Sequence, residues 1–286
     1  MSIRNTLLAV LLVGLIASLA YTNFAETSSG EAMTQAADAY LATLNDDQRA
    51  KSQLDFDTPK RVDWHFIPIP ERKGLKIREM NDKQREAAHA LLQTSLSELG
   101  YTKATNIMQL EEVLAQLEGD TDHKKRDPLK YYFTVFGKPE SDARWGLSVE
   151  GHHLSFNYVV DKNEVVASSP QFMAANPTKV AKTYDTTPLL KKGEQVLAAE
   201  EQLAFDLVNS LNEKQREAAI IAEKAPAEIR AAGEAQPPQE KPVGLSVQRL
   251  DEKQEEILEK LIEEYIAAMP ADVAKARRKE IANSNS

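Results

Sequence analysis

Residues Arg144 to Val160 read RWGLSVEGHHLSFNYVV, and alternation sorts them onto two faces of a hairpin. Trp145, Leu147 and Val149 share one face with Leu154, Phe156, Tyr158 and Val160. The other face collects Arg144, Gly146, Ser148, Glu150, His153, Ser155 and Asn157. Hydrogen-bonding groups beside a glycine that admits a ligand to the backbone are the makings of a small-molecule site. An imidazole base at His153 with a hydroxyl at Ser155 points to hydrolysis, although residues two apart on a strand lie side by side and do not by themselves form a triad. The competing reading is a solvated outer face, which antiparallel sheets commonly carry.

His152 and His153 are the expected metal pair for a divalent ion, with a reservation. Neighbours on a regular strand point to opposite sides, so both reach one ion only if the turn at Gly151 breaks the pleat. His65, His89 and His123 are isolated. Upstream, the mixed-charge loop Gly119 to Pro128 ends in Arg126-Asp127-Pro128. There Arg126 can clamp a carboxylate or phosphate while Asp127 orients it, and a structural ion pair accounts for the same residues. Asp120 and Asp122 resemble the start of a calcium loop but lack its glycine and terminal glutamate. The expected catalytic groups are thus His153, Ser155 and Asp127, and the expected ligand contacts are Arg126, Arg144, Trp145, Gly146 and Asn157. No nucleophile elbow, phosphate loop, dinucleotide fingerprint or kinase signature occurs.

The elements that must hold these groups are legible from their boundaries. Leu44-Asn45-Asp46-Asp47-Gln48, Met80-Asn81-Asp82-Lys83-Gln84, Leu211-Asn212-Glu213-Lys214-Gln215 and Leu250-Asp251-Glu252-Lys253-Gln254 each read as a capped helix start, with Gln three residues after the cap. The caps are 36, 131 and 39 residues apart, which is no fixed period, so recurrent capping is favoured over a helical array. The hydrophobic staple is incomplete, because Arg49, Arg85, Arg216 and Glu255 stand where an apolar residue belongs.

Ala88, Leu91, Leu92, Ser95, Leu96 and Leu99 form one helical stripe, which Gly100 is placed to end. Ile107, Leu110, Val113, Leu114 and Leu117 form another, stopped at Gly119. The stripe from Ile257 to Ile266 is the cleanest, and a further helix is expected over Ala271 to Ile281. Strands are expected at Tyr131 to Phe136, Arg144 to Glu150, His153 to Val160 and Glu164 to Ala167, with an edge strand at Val62 to Ile67. The proline-rich stretch Ala225 to Gly244 reads as a loop. The fold class is therefore α+β, an antiparallel meander flanked by amphipathic helices.

The 286 residues include 42% apolar and 28% charged side chains, which fits a globular chain with its own core. A formal charge of −9 argues against nucleic acid or an anionic membrane surface as partner. With no cysteine, disulfides, thiolate catalysis, iron–sulfur clusters and zinc sites with sulfur ligands are excluded. Arg4 precedes an uncharged run from Leu7 to Leu19, and Ser18-Leu19-Ala20 suits signal peptidase. A run of that length reaches about 20 Å of a hydrocarbon core about 30 Å thick. The expectation is a cleaved leader over residues 1–20, a flexible mature start over 21–40, one domain over 41–286, and export to the periplasm or beyond with no stable membrane span.

The set Trp64, Phe66, Pro68, Arg72, Gly74 and Leu75, then Arg126-Asp127-Pro128, Phe136-Gly137-Lys138-Pro139, Trp145-Gly146 and Gly151 to Asn157 resembles a bacterial secreted family of unknown function, the one numbered three thousand five hundred. The resemblance runs from about Arg61 to the carboxyl end. Ala174 stands where the family's F-x-G-A-x-P stretch has glycine. The resemblance further implies an aromatic, glycine-rich continuation with His-x-His and Trp-Arg-Asp, which is not in this sequence. On that basis the domain is expected to be truncated at its carboxyl end and to hold half of any metal site those histidines complete. It implies no established activity. Two functions follow as expectations: an exported protein binding a small ligand or metal on the polar sheet face with hydrolytic chemistry, or a noncatalytic binding protein.

Overall fold

A computed structural model describes residues 27–120, 122–187, 190–236 and 241–284; the expected leader lies outside them. All four cap segments form reciprocal capping boxes. Asn45, Asn81, Asn212 and Asp251 each accept from the amide of the Gln three residues on, whose side chain accepts from the cap amide. They open helices α2 (Asp46–Ser52), α3 (Asp82–Thr94), α6 (Glu213–Ala219) and α7 (Glu252–Ile266). The arginines that leave the staple incomplete reach back instead: Arg49, Arg85 and Arg216 donate to the carbonyls of Leu41, Ile77 and Asn209.

The remaining helices are α1 (Ser29–Ala42), α4 (Glu98–Glu118), α5 (Ala198–Ser210) and α8 (Ala271–Ser284). Two of these correct the sequence reading. The mature start was expected to be flexible, yet Ser28 caps α1, and Met33, Ala37, Tyr40 and Leu41 are buried at helical spacing. Gly100 does not end a helix. It is the third residue of α4, where its amide donates to the cap Ser97, and an added Cβ would lie 2.2 Å from the Ala268 carbonyl oxygen. Close approach to that chain, rather than a left-handed turn, explains the glycine. Gly119 does cap α4 in the left-handed conformation, at φ 71°.

The strands are β1 (Gln53–Leu54), β2 (Leu75–Lys76), β3 (Tyr132–Phe136), β4 (Arg144–Gly151), β5 (Leu154–Asp161), β6 (Glu164–Ala167) and β7 (Gln171–Met173). The meander β3-β4-β5-β6 runs as expected, but the sheet is mixed. Gln53 pairs with Val135 in parallel while Leu75 pairs with Phe133 antiparallel, so β1 and β2 share one edge of β3. On the far edge, β6 and β7 share β5. Val62 to Ile67 is not a strand. Its aromatic residues pack instead, with Phe66 stacked on Phe172 at 4.1 Å between ring centroids.

One sheet face is the core. Trp145, Leu147, Val149, Leu154, Phe156, Tyr158 and Val160 meet Met33, Ala37, Tyr40, Ala88, Leu91 and Leu92 from α1 and α3. Buried polar groups at this interface are satisfied: Trp145 Nε1 donates to Thr34 Oγ1 at 3.1 Å, and Tyr158 Oη donates to the Ser95 carbonyl at 2.7 Å.

The capping boxes belong to two copies of one unit. α1, α2, a 3-10 turn at Ile77–Glu79 and α3 recur in the same order as α5, α6, a turn at Val247–Arg249 and α7. In the first, Gln48 and Gln84 exchange side-chain hydrogen bonds; in the second, Gln215 and Gln254 do. Gln84 also donates to the Thr43 carbonyl, as Gln254 does to that of Ser210. The irregular spacing of the caps therefore hides a duplication.

Candidate functional site

Gly151 pairs with Leu154, which makes His152 and His153 the connection between β4 and β5. His153 has φ 62°, a left-handed conformation suited to such a turn. It therefore leaves the strand face it was expected to share with Ser155 and Asn157. An added Cβ on Gly151 would lie 2.1 Å from the Tyr131 ring, so the turn closes directly over that side chain, whose hydroxyl donates to the His152 carbonyl at 2.9 Å.

The polar sheet face is walled rather than solvated. Ser148, Glu150 and Ser155 are all buried. Lys73 covers Glu150 with an ion pair of 2.7 Å, and the Asn157 amide donates to the Ser155 hydroxyl at 3.0 Å and its backbone N–H to the Pro170 carbonyl at 3.1 Å. A cavity of about 70 Å³ beside Asn157 lies against Trp64 and Pro170. Several expected contacts are elsewhere. Trp145 is fully buried in the core, and Gly146 lies against the Phe136 ring. Arg144 is exposed, with Nε 3.0 Å from Asp161 Oδ2 at the opposite end of the hairpin from the histidines. Ser155 has no exposed surface and is not placed to attack a substrate.

What gathers at the turn is a polar cluster. His152 Nδ1 is 2.5 Å from Glu111 Oε1 and 3.3 Å from an Arg126 guanidinium nitrogen. Arg126 holds Glu118 through two bonds of 2.8 and 3.1 Å. Asp127 does not orient Arg126; it grips Arg78 at 2.5 and 2.7 Å. His123 joins from the same loop, with Nε2 3.3 Å from Glu112. Asp120 builds that loop by accepting from the amides of Lys124, Lys125 and Arg126. Those amides, the Arg126 one foremost, hold the Asp120 carboxyl below its usual range.

The rings of His152 and His153 stack at 3.9 Å between centroids. In-plane lone pairs of rings stacked this way do not converge on one ion. Among the described residues, no group of three or more histidines or carboxylates is placed to hold a metal. Burial first, then His152 and Arg126, pushes the His153 imidazole down to about 4, so it is neutral at physiological pH.

A crevice of about 10 Å³, room for about one oxygen atom, is lined by His152, Tyr131, the acids Glu111 and Asp127 and the bases Arg72, Lys125 and Lys130. Arg72 and Ile69 also line a neighbouring cleft of about 260 Å³ in which Lys60, His65 and Lys73 stand beside Asp63, Glu71 and Glu150. Glu111, Glu118, Arg72 and Arg78 were not expected here. Glu111 did carry a signal, since it interrupts the apolar stripe of α4 between Leu110 and Leu114 and is buried with them. The arginines carried none, because long flexible side chains on loops have no period.

No curated protein and no solved structure matches the chain. The model of the family described as "Protein of unknown function (DUF3500)" matches residues 26–286. That match takes in the walled hairpin, the histidine turn and the Arg126 loop together, and the chain accordingly belongs to the DUF3500 family.

Proposed function

We propose that the histidine end of the β4–β5 hairpin binds a small anionic ligand in an exported protein. The observation that carries this reading is the crevice at His152, oriented by Glu111 at 2.5 Å and rimmed by Arg72, Lys125 and Lys130. Arg72, Lys125 and Lys130 outnumber the acids Glu111 and Asp127 in its lining, a local basic excess on a chain of net charge −9, and this favours a carboxylate or phosphate. One ligand oxygen fits the crevice while the rest of the molecule lies in the cleft across Arg72. The site is read first as a binding site. The Glu111–His152 pair also favours a hydrolytic reading, with His152 as base toward a water, since Ser155 is buried.

Export is part of the proposal, supported by Arg4, the Leu7–Leu19 run and the small residues before position 21; the family match begins at residue 26. The test is a thermal-shift panel of phosphate, sulfate and di- and tricarboxylates on the wild type and on Lys125→Ala/Lys130→Ala. A ligand that binds the native state raises the midpoint, and the rim variant should lose most of that rise. No shift with any anion, or equal shifts in both proteins, contradicts the reading.

A further inference from the structure

The two copies of the helical unit match residue by residue but are not equally covered. Gly74-Leu75-Lys76-Ile77 leads into the Asn81 cap as Gly244-Leu245-Ser246-Val247 leads into the Asp251 cap, and the two glycines have φ 97° and 101°. In the first copy, the residues leaving the short helix (Gln53-Leu54) and those after the glycine (Leu75-Lys76) are β1 and β2, both hydrogen-bonded to β3. Ile220 and Ile221 stand at the positions of Gln53 and Leu54. Ile220 has the same extended backbone, at φ −86° and ψ 96°. Among the described residues no strand pairs with Ile220–Ile221 or with Leu245–Ser246. The two isoleucines are 54% and 68% exposed.

The helix faces repeat the contrast. Ile77, Ala88, Leu92 and Leu96 are no more than 5% exposed, in one core with Tyr131, Phe133 and Val135. Their counterparts Val247, Leu258, Ile262 and Ile266 line an open groove of about 640 Å³; Ile266 is buried at its base, and Val247 is 40% exposed. The groove is thus the place that the β3 sheet fills in the first copy. Glu255, Glu259 and Glu263 follow one another at helical spacing along it, where the first copy has Arg85, His89 and Gln93; Glu263 is paired with Arg278, which also lines the groove, and Glu255 and Glu259 leave it an acidic excess.

We propose that the second unit is an acceptor for a β-strand of another polypeptide, an extended segment with aromatic or aliphatic side chains at alternate positions, backed by a second strand and flanked by basic residues. Apart from the Ile220 N–H, which the Arg216 carbonyl holds, and the Ser246 carbonyl, which the Arg249 N–H holds, the backbone of Ile220–Ile221 and Leu245–Ser246 supplies main-chain hydrogen bonds, the groove takes the apolar side chains, and Glu255 and Glu259 favour the basic flanks. The matching strand β3 of a second copy is not free to fill the groove, because β3, β4 and β5 are each paired on both edges within their own sheet.

The first copy supplies a probe with the strand pattern: a synthetic hairpin peptide of residues 130–151 with Glu140, Asp142 and Glu150 each replaced by Gln, which carries β3, β4, Lys130, Lys138 and Arg144. Titrated into the whole protein, it should bind saturably at one site, and Leu258→Asp and Ile221→Glu should each weaken it at least tenfold. Ile221 is largely exposed, so its variant keeps the fold, and circular dichroism melts verify this for both. Absence of saturable binding, or binding unchanged in both variants, overturns the proposal. A concentration-dependent dimer of the protein alone, abolished by Leu258→Asp in sedimentation, would assign the groove to a second copy and overturn it equally.

Discussion

The imidazole of His152 meets the carboxylate of Glu111 at 2.5 Å, joining the tip of the β4–β5 hairpin to the middle of a buried helix. Removing one member strands the other. His152→Leu should cost about 1–3 kcal/mol, the range for leaving a buried polar group without its partner. Pairing it with Glu111→Leu in a double-mutant cycle should give a coupling of about 0.5–3 kcal/mol by chemical denaturation, and strictly additive losses would show the contact to be energetically idle.

The lowered pKa of His153 makes stability depend on pH. The unfolded chain takes up a proton near pH 6.5 and the folded one only near 4, so the contribution is intact above about 6.5 and is lost as pH falls toward 4. His89, also lowered by burial, acts in the same direction. His153→Asn tolerates the left-handed turn and removes one of the two titrations. Melting curves between pH 7 and 4.5 should therefore be flatter for the variant; parallel curves would remove His153 as a source of the dependence.

Trp145 has no exposed surface, so Trp145→Ala should destabilise by about 3–5 kcal/mol, the range for deleting a buried large aromatic. Arg144→Ala, at an exposed ion pair, should change stability by at most about 1 kcal/mol. Denaturant midpoints that rank the two in the opposite order would contradict the two-faced reading of this strand.

Much of the fold was legible because the signals were local. Capping residues, the Gly119 stop and the alternation of β3 to β6 each act within a few residues of chain. What failed depended on distance. Gly100 is required by Ala268, and the β1–β3 parallel pairing joins residues far apart in sequence. The alternation gives the hairpin but sets its connection at Gly151-His152, one residue before the observed His152-His153, and that shift moves His153 from the strand face to the tip. His152 and Arg126 were picked out by type and do meet. Glu111 and Arg72 came from a helix stripe and a loop that the hairpin pattern does not reach.

The duplicated glutamine layer gives a further expectation. Gln84 is buried and bonds Thr43, Gln48 and its own cap, so Gln84→Leu should cost about 1–3 kcal/mol. Gln254→Leu should fall in the same range if the second unit is an intact copy. A Gln254 variant that melts like the wild type would show that unit to be loosely held.

The central claim, an anion site at His152, is tested most directly by following the histidine ring signals in a heteronuclear NMR titration with inorganic phosphate at pH 7. An anion in the crevice should shift the His152 signals saturably while His65 and His89 change less, and a pH series at saturating phosphate should show the His153 titration moved upward from about 4. Histidine signals that stay in place up to saturating phosphate, or that all drift together without saturation, would contradict it.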